Sequence, residues 1–335
     1  MRFVLLLLYV SFILYFCAQM NTMPPRLAIV IPCYNEEEVL PETSKRLKVL
    51  LDDYIGKQLI ATDSYVLFTD DGSKDRTWEQ ITRLYSSHQY FKGLKLSRNF
   101  GHQNALLAGL FHADDADIII SIDADLQDDL NAMEEMIQAY LKGYDVVYGV
   151  RDDRSTDTRF KRNTALAFYK LLSVMGVESV YNHADYRLLS RRAMDAFKSF
   201  EEANLYLRGM VPMIGFRQTS VYYKRGERFA GESKYNLRKM LSFAWNGISS
   251  LSIKPLRFVT FCGFVIFAIT VLLSIYALVA YLTHHTATGW ASTVIPMYFL
   301  GGIQLLCIGL IGEYVAKMYK EVKHRPRFII EEHLQ

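Results

Sequence analysis

Cysteine is scarce in this chain of 335 residues: Cys17, Cys33, Cys262 and Cys307 are scattered, with no C-x-x-C pair. That spacing gives no basis for a disulfide framework or a zinc site. Excess charge is equally scarce, since 38 Lys and Arg against 35 Asp and Glu leave a net charge of +3. The basic residues sit beside apolar segments and form no long run, which suits a membrane face and argues against nucleic acid as a partner. Internal repeats and low-complexity segments are also lacking.

What is abundant is apolar surface, 51% of the residues, concentrated at the two ends. From Phe258 to Leu282 no charge interrupts a run of about 25 residues, longer than the ~20 that span a hydrocarbon core as a helix. A second run, Ala291 to Ile311, follows a linker that holds no Lys or Arg, with Trp290 as an interfacial anchor. The pair is expected to form a membrane hairpin. Lys254 and Arg257 precede it, and Lys317, Lys320, Lys323, Arg325 and Arg327 follow it, so both ends are expected on the cytoplasmic side. Glu313 at the edge of the second span is read as an interfacial carboxylate near Lys317.

The start of the chain conflicts with that orientation. Phe3 to Ala18 is an apolar stretch of about 16 residues behind Arg2, the length of a leader's apolar region and marginal for a span. Three readings stand: a third helix with its N-terminus outside, a membrane-surface segment, and a leader absent because translation begins at Met20 or Met23. The last is preferred.

Between Arg26 and Arg154, short β-rich runs alternate with helical stretches, the pattern of a parallel sheet with helical crossovers. Strands are expected over Leu27–Ile31, Tyr65–Thr69, Asp117–Ile122 and Asp145–Tyr148. Helices are expected over Glu38–Tyr54, Thr77–Ser86, Gln103–His112 and Leu130–Leu141, the last ended by Gly143. At 335 residues the chain holds one such α/β domain plus a smaller appendage, domains of roughly 100–200 residues being usual.

In an open α/β sheet, ligands bind at the carboxyl ends of the strands. The first strand runs into Pro32-Cys33-Tyr34-Asn35-Glu36, the second into Asp70-Asp71-Gly72-Ser73, the third into Asp123-Ala124-Asp125-Leu126-Gln127. Any one such acid is ordinarily a solvated loop residue or a helix cap. Three groups on one edge repel one another and persist best beside a cation. Mg²⁺ or Mn²⁺, taking one or two carboxylates plus phosphate oxygens and water, suits the Asp-x-Asp spacing.

These segments in this order, with Leu96-Ser97-Arg98-Asn99-Phe100-Gly101-His102 and the C-terminal hairpin, resemble a GT-A glycosyltransferase of family 2. Within it, the match is to the polyprenyl-phosphate glycosyltransferases, such as dolichol-phosphate mannose synthases and bacterial undecaprenyl-phosphate glucosyltransferases. The likeness covers nearly everything after Arg26. It implies an α/β GT-A domain with a mostly parallel, Rossmann-like sheet. It divides the chain into an apolar segment (1–22), a catalytic domain (23–235), a juxtamembrane region (236–257), two transmembrane helices (258–316) and a basic tail (317–335).

The resemblance also implies roles. Pro32, Tyr34, Glu36, Asp70, Asp71 and Asp123 would line the nucleotide-sugar, and Asp123, Asp125 and Gln127 would face the metal. Tyr34 is as readily a packing aromatic, Asp70 a loop-orienting group, and Arg98 and Asn99 structural links behind the site. A lipid phosphate beside a sugar diphosphate calls for cations, so Arg151, Arg162, Arg228, Ser233 and Lys234 are assigned to it. Without the resemblance, Arg228, Ser233 and Lys234 read as a basic collar facing the membrane. Asp185 joins Asp123 and Asp125 as a catalytic candidate, balanced against a structural ion pair to Arg187 or Arg191. Residues 159–175 mix basic and apolar side chains and would lie on the bilayer or pack into the domain.

The expected activity is inverting transfer from a nucleotide-sugar, with UDP-glucose favoured, to a polyprenyl phosphate such as undecaprenyl phosphate. The product would serve cell-envelope glycan modification at the bacterial inner membrane, with the catalytic domain cytoplasmic and homo-oligomers left open. The alternatives are a processive polysaccharide synthase, against which the lack of a Gln-x-x-Arg-Trp element counts, and a non-catalytic lipid-translocating or scaffold protein. Mass spectrometry of the natural N-terminus is expected to find Met20 or Met23 first; an intact Met1 would refute the misplaced-start reading.

Overall fold

The structure is a computed structural model that describes residues 23–151, 183–202, 206–224, 226, 248–249, 252–283 and 290–335. The segment 1–22, the amphipathic stretch 159–175, and Arg162, Arg228, Ser233 and Lys234 lie outside the described residues.

The four expected strands are present with bounds shifted by up to three residues: β1 (Leu27–Cys33), β2 (Tyr65–Asp70), β4 (Ile118–Ser121) and β5 (Val146–Arg151). Four more join them: β3 (Phe91–Leu96), β6 (His183–Ser190), β7 (Gln218–Tyr223) and β8 (Ile330–Leu334). Together they form one eight-stranded sheet in the order β7-β5-β6-β4-β1-β2-β3-β8. Pairing is parallel from β4 through β1 and β2 to β3 and between β5 and β7; β6 and β8 run antiparallel to their neighbours. The expectation of a mostly parallel sheet is met. β6 fills the place beside β4 where a simple series of crossovers would have put β5.

Strand side chains alternate between faces, so each strand feeds two cores. Leu27, Ile29, Ile31, Val66, Phe68, Ile118 and Ile120 enter one core, together with Leu47 and Leu51 of α1 (Leu40–Gly56), Ile81 of α2 (Thr77–Ser87) and Met133, Met136 and Ile137 of α4 (Ala132–Leu141). Ala28, Val30, Tyr65, Leu67 and Ile119 enter the other. That core takes the apolar run of α3 (His102–His112) and residues of α5 (Arg191–Lys198) and α6 (Leu207–Met213). The result is a three-layer sandwich. Gly143, expected to end α4, adopts φ +86 just past the cap residue Lys142.

Register fixes where the site lies. Cys33 pairs with Asp70, so β1 and β2 end level, while β4 ends at Ser121 opposite Val30, three residues earlier; all three run parallel and release their loops on one edge.

Two long apolar helices follow, α7 (Lys254–Leu282) and α8 (Trp290–Val322). Their windows Lys254–Leu273 and Phe299–Val322 have the length and composition to cross a membrane, and none of either window is buried by the protein. Residues 317–335, read as a basic tail, divide in two. α8 continues to Val322, and the chain then returns to the domain to add β8 beside β3.

α3 lies unusually close to the sheet. A Cβ on Gly109 would stand 2.4 Å from Val30 Cγ1 and 2.5 Å from Thr69 Oγ1. Gly109→Val is therefore expected to lower stability by about 1–3 kcal/mol through overpacking, read as a lower thermal-unfolding midpoint in detergent; an unchanged midpoint would contradict the contact.

Candidate active site

The loops after β1 and β2 are laced together by their own polar groups. Asn35, at φ +55, donates its backbone N–H to Ser73 Oγ (3.0 Å) and accepts from the Lys74 N–H at its side-chain oxygen (2.8 Å). Glu36 N–H donates to Thr77 Oγ1 at 2.9 Å, and Glu37 N–H to Asp75 Oδ2 at 3.2 Å. This lacing leaves the Tyr34 side chain exposed at the mouth, with Pro32 buried behind it. Tyr34 is thus exposed, not packed, and Glu36 stands half-buried near it in the chain.

Asp70 and Asp71 are both buried. Asp70 accepts from the Ser73 N–H at 3.3 Å, and burial raises its pKa against that bond. Its other oxygen, Oδ1, is buried with no hydrogen-bond partner among the described residues. Asp71 accepts the backbone N–H groups of Phe100 (2.7 Å) and Gly101 (2.9 Å); burial still leaves its pKa raised. At Gly72, φ is +66, and a Cβ would meet the Arg98 carbonyl carbon at 2.6 Å and the Asn99 nitrogen at 2.7 Å. Only glycine lets these two backbones touch. Arg98 and Asn99 serve here as structural links.

The loop after β4 carries Asp123, Asp125 and Gln127. Asp125 Oδ1 accepts the Gln127 N–H at 3.2 Å, and Leu126 takes φ +55, which turns the loop sharply. Gln127 is buried, whereas Asp123 and Asp125 are partly open. Asp123 Oδ1 has no hydrogen-bond partner among the described residues. Burial, with the charges of Asp185, Asp128 and Asp125 adding to it and His102 opposing, raises the Asp123 pKa to about 6.

His102, the first residue of α3, stands between two acids. Its Nε2 lies 3.5 Å from Asp123 Oδ1 and 3.7 Å from Asp185 Oδ2. Burial pulls its pKa down, but Asp185 and Asp123 outweigh that and the net shift is upward. Asp185, on β6, is also held by Arg187 Nη2 at 2.5 Å and by Arg208 at 3.3 Å. Burial alone would raise the Asp185 pKa; Arg208, His102 and Arg187 instead hold it well below the usual carboxylate range. The ion pair to Arg187 weighed from sequence is present. Arg208 and His102 complete the group, and neither was assigned a role from sequence.

Arg151, at the end of β5, reaches Asp128 at 3.1 Å and the Tyr223 hydroxyl at 3.3 Å. Tyr223 donates to Asp128 Oδ1 at 2.5 Å. Part of the guanidinium expected at a lipid phosphate is therefore engaged in holding the Asp-x-Asp loop from below. Gly226 N–H donates to the Gln127 carbonyl (2.8 Å), and beside it opens a cavity of about 710 Å³ whose basic lining residues are Lys45, Arg46, Lys57 and Lys224. Asp128 and Tyr223 were not singled out from sequence. Asp128 follows the Asp-x-Asp segment directly, but its partner lies on a strand far along the chain.

Among the described residues, no three His, Cys, Asp or Glu side chains converge as a preformed metal cage. The donor set still fits a hard ion that takes one or two carboxylates and fills its shell from phosphate and water. Asp123 offers a buried oxygen without a hydrogen bond, and Asp125 offers a partly open carboxylate.

Comparison with known proteins identifies the family. Residues 28–197 match glycosyl transferase family 2, and residues 254–318 match the GtrB C-terminal hairpin. An uncharacterized glycosyltransferase of Bacillus subtilis, YkoT, is 52% identical over 93% of this chain and 93% of its own length. A bactoprenol glucosyl transferase of Shigella phage SfV is 37% identical over 92% of this chain and 99% of its own. A prophage bactoprenol glucosyl transferase homolog of Escherichia coli is 37% identical over 91% and 98%. With the first match spanning β1 to α5 and the second covering most of both apolar helices, the chain belongs to glycosyl transferase family 2 and carries a GtrB C-terminal hairpin.

Proposed function

We propose that this chain transfers a sugar from a nucleotide-sugar, UDP-glucose by preference, to a polyprenyl phosphate such as undecaprenyl phosphate. The observation that carries the reading is the Asp123–His102–Asp185 cluster at the strand ends of a domain tied to an apolar hairpin. The relatives named bactoprenol glucosyl transferases support the acceptor class.

Tyr34 and Glu36 would flank the nucleotide, with Asp71 holding the loop behind it. Asp123 and Asp125 would bind Mg²⁺ or Mn²⁺. When bound, such an ion supplies charge stabilisation to the departing nucleoside diphosphate. The acceptor needs no strong base, because the second pKa of a phosphate monoester is about 6. Asp185, kept ionised by Arg208, His102 and Arg187, is poorly suited to take a proton and better suited to orient the sugar or the acceptor. The lipid phosphate oxygen forms the new bond to the anomeric carbon as the bond to the diphosphate breaks, with inversion. Arg228, Ser233 and Lys234 are assigned to the lipid phosphate on their sequence pattern, with Arg162 nearby in the chain.

Lys254 and Arg257 before the hairpin, and the basic residues after it, support a bacterial inner-membrane protein with its catalytic domain in the cytoplasm. The return of the chain into the sheet as β8 supports both hairpin ends lying on the domain's side.

Asp125→Ala is expected to lower metal-dependent release of nucleoside diphosphate by at least roughly 10²-fold, the scale of losing one charge-stabilising group. Turnover near that of the parent would overturn the metal role. Because Asp123 is ionised only above about pH 6, and metal and proton compete for it, Mn²⁺ affinity measured by calorimetry should fall as pH drops through that value. A flat profile would contradict the assignment. A panel of nucleotide-sugars with undecaprenyl phosphate is expected to yield lipid-linked product from UDP-glucose; no lipid product from any donor would overturn the function.

A further inference from the structure

The strand that completes the sheet comes from the far end of the chain. β8 pairs antiparallel with β3, joining Gly93 to Leu334, Leu94 to His333 and Lys95 to Glu332, with a register shift before Leu96 meets Ile330. It is fastened on both faces. Trp78 Nε1 donates to Glu332 Oε2 (3.2 Å) and the Tyr85 hydroxyl to the Gln335 carbonyl (2.7 Å), both from α2. On the α3 side, the His112 ring meets His333 edge-on at 5.6 Å and Phe328 at 6.0 Å. Arg327 Nη2 donates to the Phe200 carbonyl at 2.7 Å, which holds the tail where it arrives from α8.

The pairing runs past the end of β3 into the site. Ser97 N–H donates to the Ile329 carbonyl at 2.9 Å. Ser97 leads directly into Arg98–Gly101, whose backbone lies against Gly72 and gives two N–H groups to Asp71. His102 follows, against Asp123 and Asp185. One short segment, 97–102, therefore touches the tail at one end and the catalytic carboxylates at the other.

We propose that β8 is a positioning element of the donor site: it holds the 97–101 loop, and through that loop Asp71 and Gly72, in the conformation that receives the nucleotide. The inference rests on the donor-site reading given above. Its physical content is a coupling between two places that share a backbone. Removing the strand leaves Ser97 unpaired and β3 an open edge, so the loop loses a support that packing alone does not replace. Coupling is reciprocal, so a nucleotide that tightens the loop also tightens the strand.

Hydrogen exchange on the unmodified full-length chain in detergent, with and without UDP and Mg²⁺, tests this directly. Amides in 97–101 and in 329–334 are both expected to exchange more slowly with nucleotide. Slowing in the loop alone would overturn the proposal and leave the donor site standing. No slowing in either would overturn the donor site and the proposal with it. As a second arm, removal of residues 329–335 is expected to raise the donor KM roughly tenfold, within the range usual for coupled sites, with the acceptor KM unchanged and a synthetic peptide of residues 327–335 restoring the donor KM. Donor and acceptor KM rising together, or no rescue by the peptide, would mark β8 as a general staple and overturn the proposal.

Discussion

The centre of this molecule depends on two carboxylates facing one imidazole. Asp123 and Asp185 come from strands that run in opposite directions, β4 and β6, and would repel each other if left alone. His102 lies between them, while Arg187 and Arg208 stand behind Asp185. The balance is uneven by construction. Among the described residues, Arg208, His102 and Arg187 hold the Asp185 pKa low, whereas Asp123 has His102 alone against its burial and its pKa is raised. An ionised Asp123 strains the metal-free fold above about pH 6, since its folded pKa lies above the unfolded value and the stability it contributes is lost as pH rises through the shifted one. A cation held by Asp123 and Asp125, as proposed above, would offset that cost.

Much of the framework around this centre was legible in the sequence, for a simple reason. β1, β2, β4 and β5 are buried nearly throughout and therefore read as unbroken β-rich runs. The strands that escaped are those in which burial and chemistry disagree. β3 alternates lysines with apolar residues and includes Gly93, β7 is half open, and β8 is an acidic edge strand. β6 is the instructive case. It carries Arg187, a charged side chain that is almost fully buried, and its neighbour Asp185 and the Leu207 carbonyl accept its hydrogen bonds there.

The site divides along the same line. Carboxylates at strand ends are visible because chain order and sheet topology bring them to one edge. Their regulation is not visible, because the groups that set their charge come from distant elements. His102 lies in a segment already singled out, yet its meaning depends on α3 starting opposite β4. Arg151 was given to a phosphate because it ends a strand on the right edge, but a single sequence cannot reveal that Asp128 and Tyr223 wait beside it.

The position of β8 also orders the events of synthesis. β3 is made before both apolar helices, and its outer partner β8 only after them. Until then the growing domain has an unsatisfied sheet edge, a state that invites pairing with other chains. The chain returns to the domain beyond the hairpin, and β8 closes that edge. A copy in which β8 has not docked thus presents β3 as an open edge to other chains.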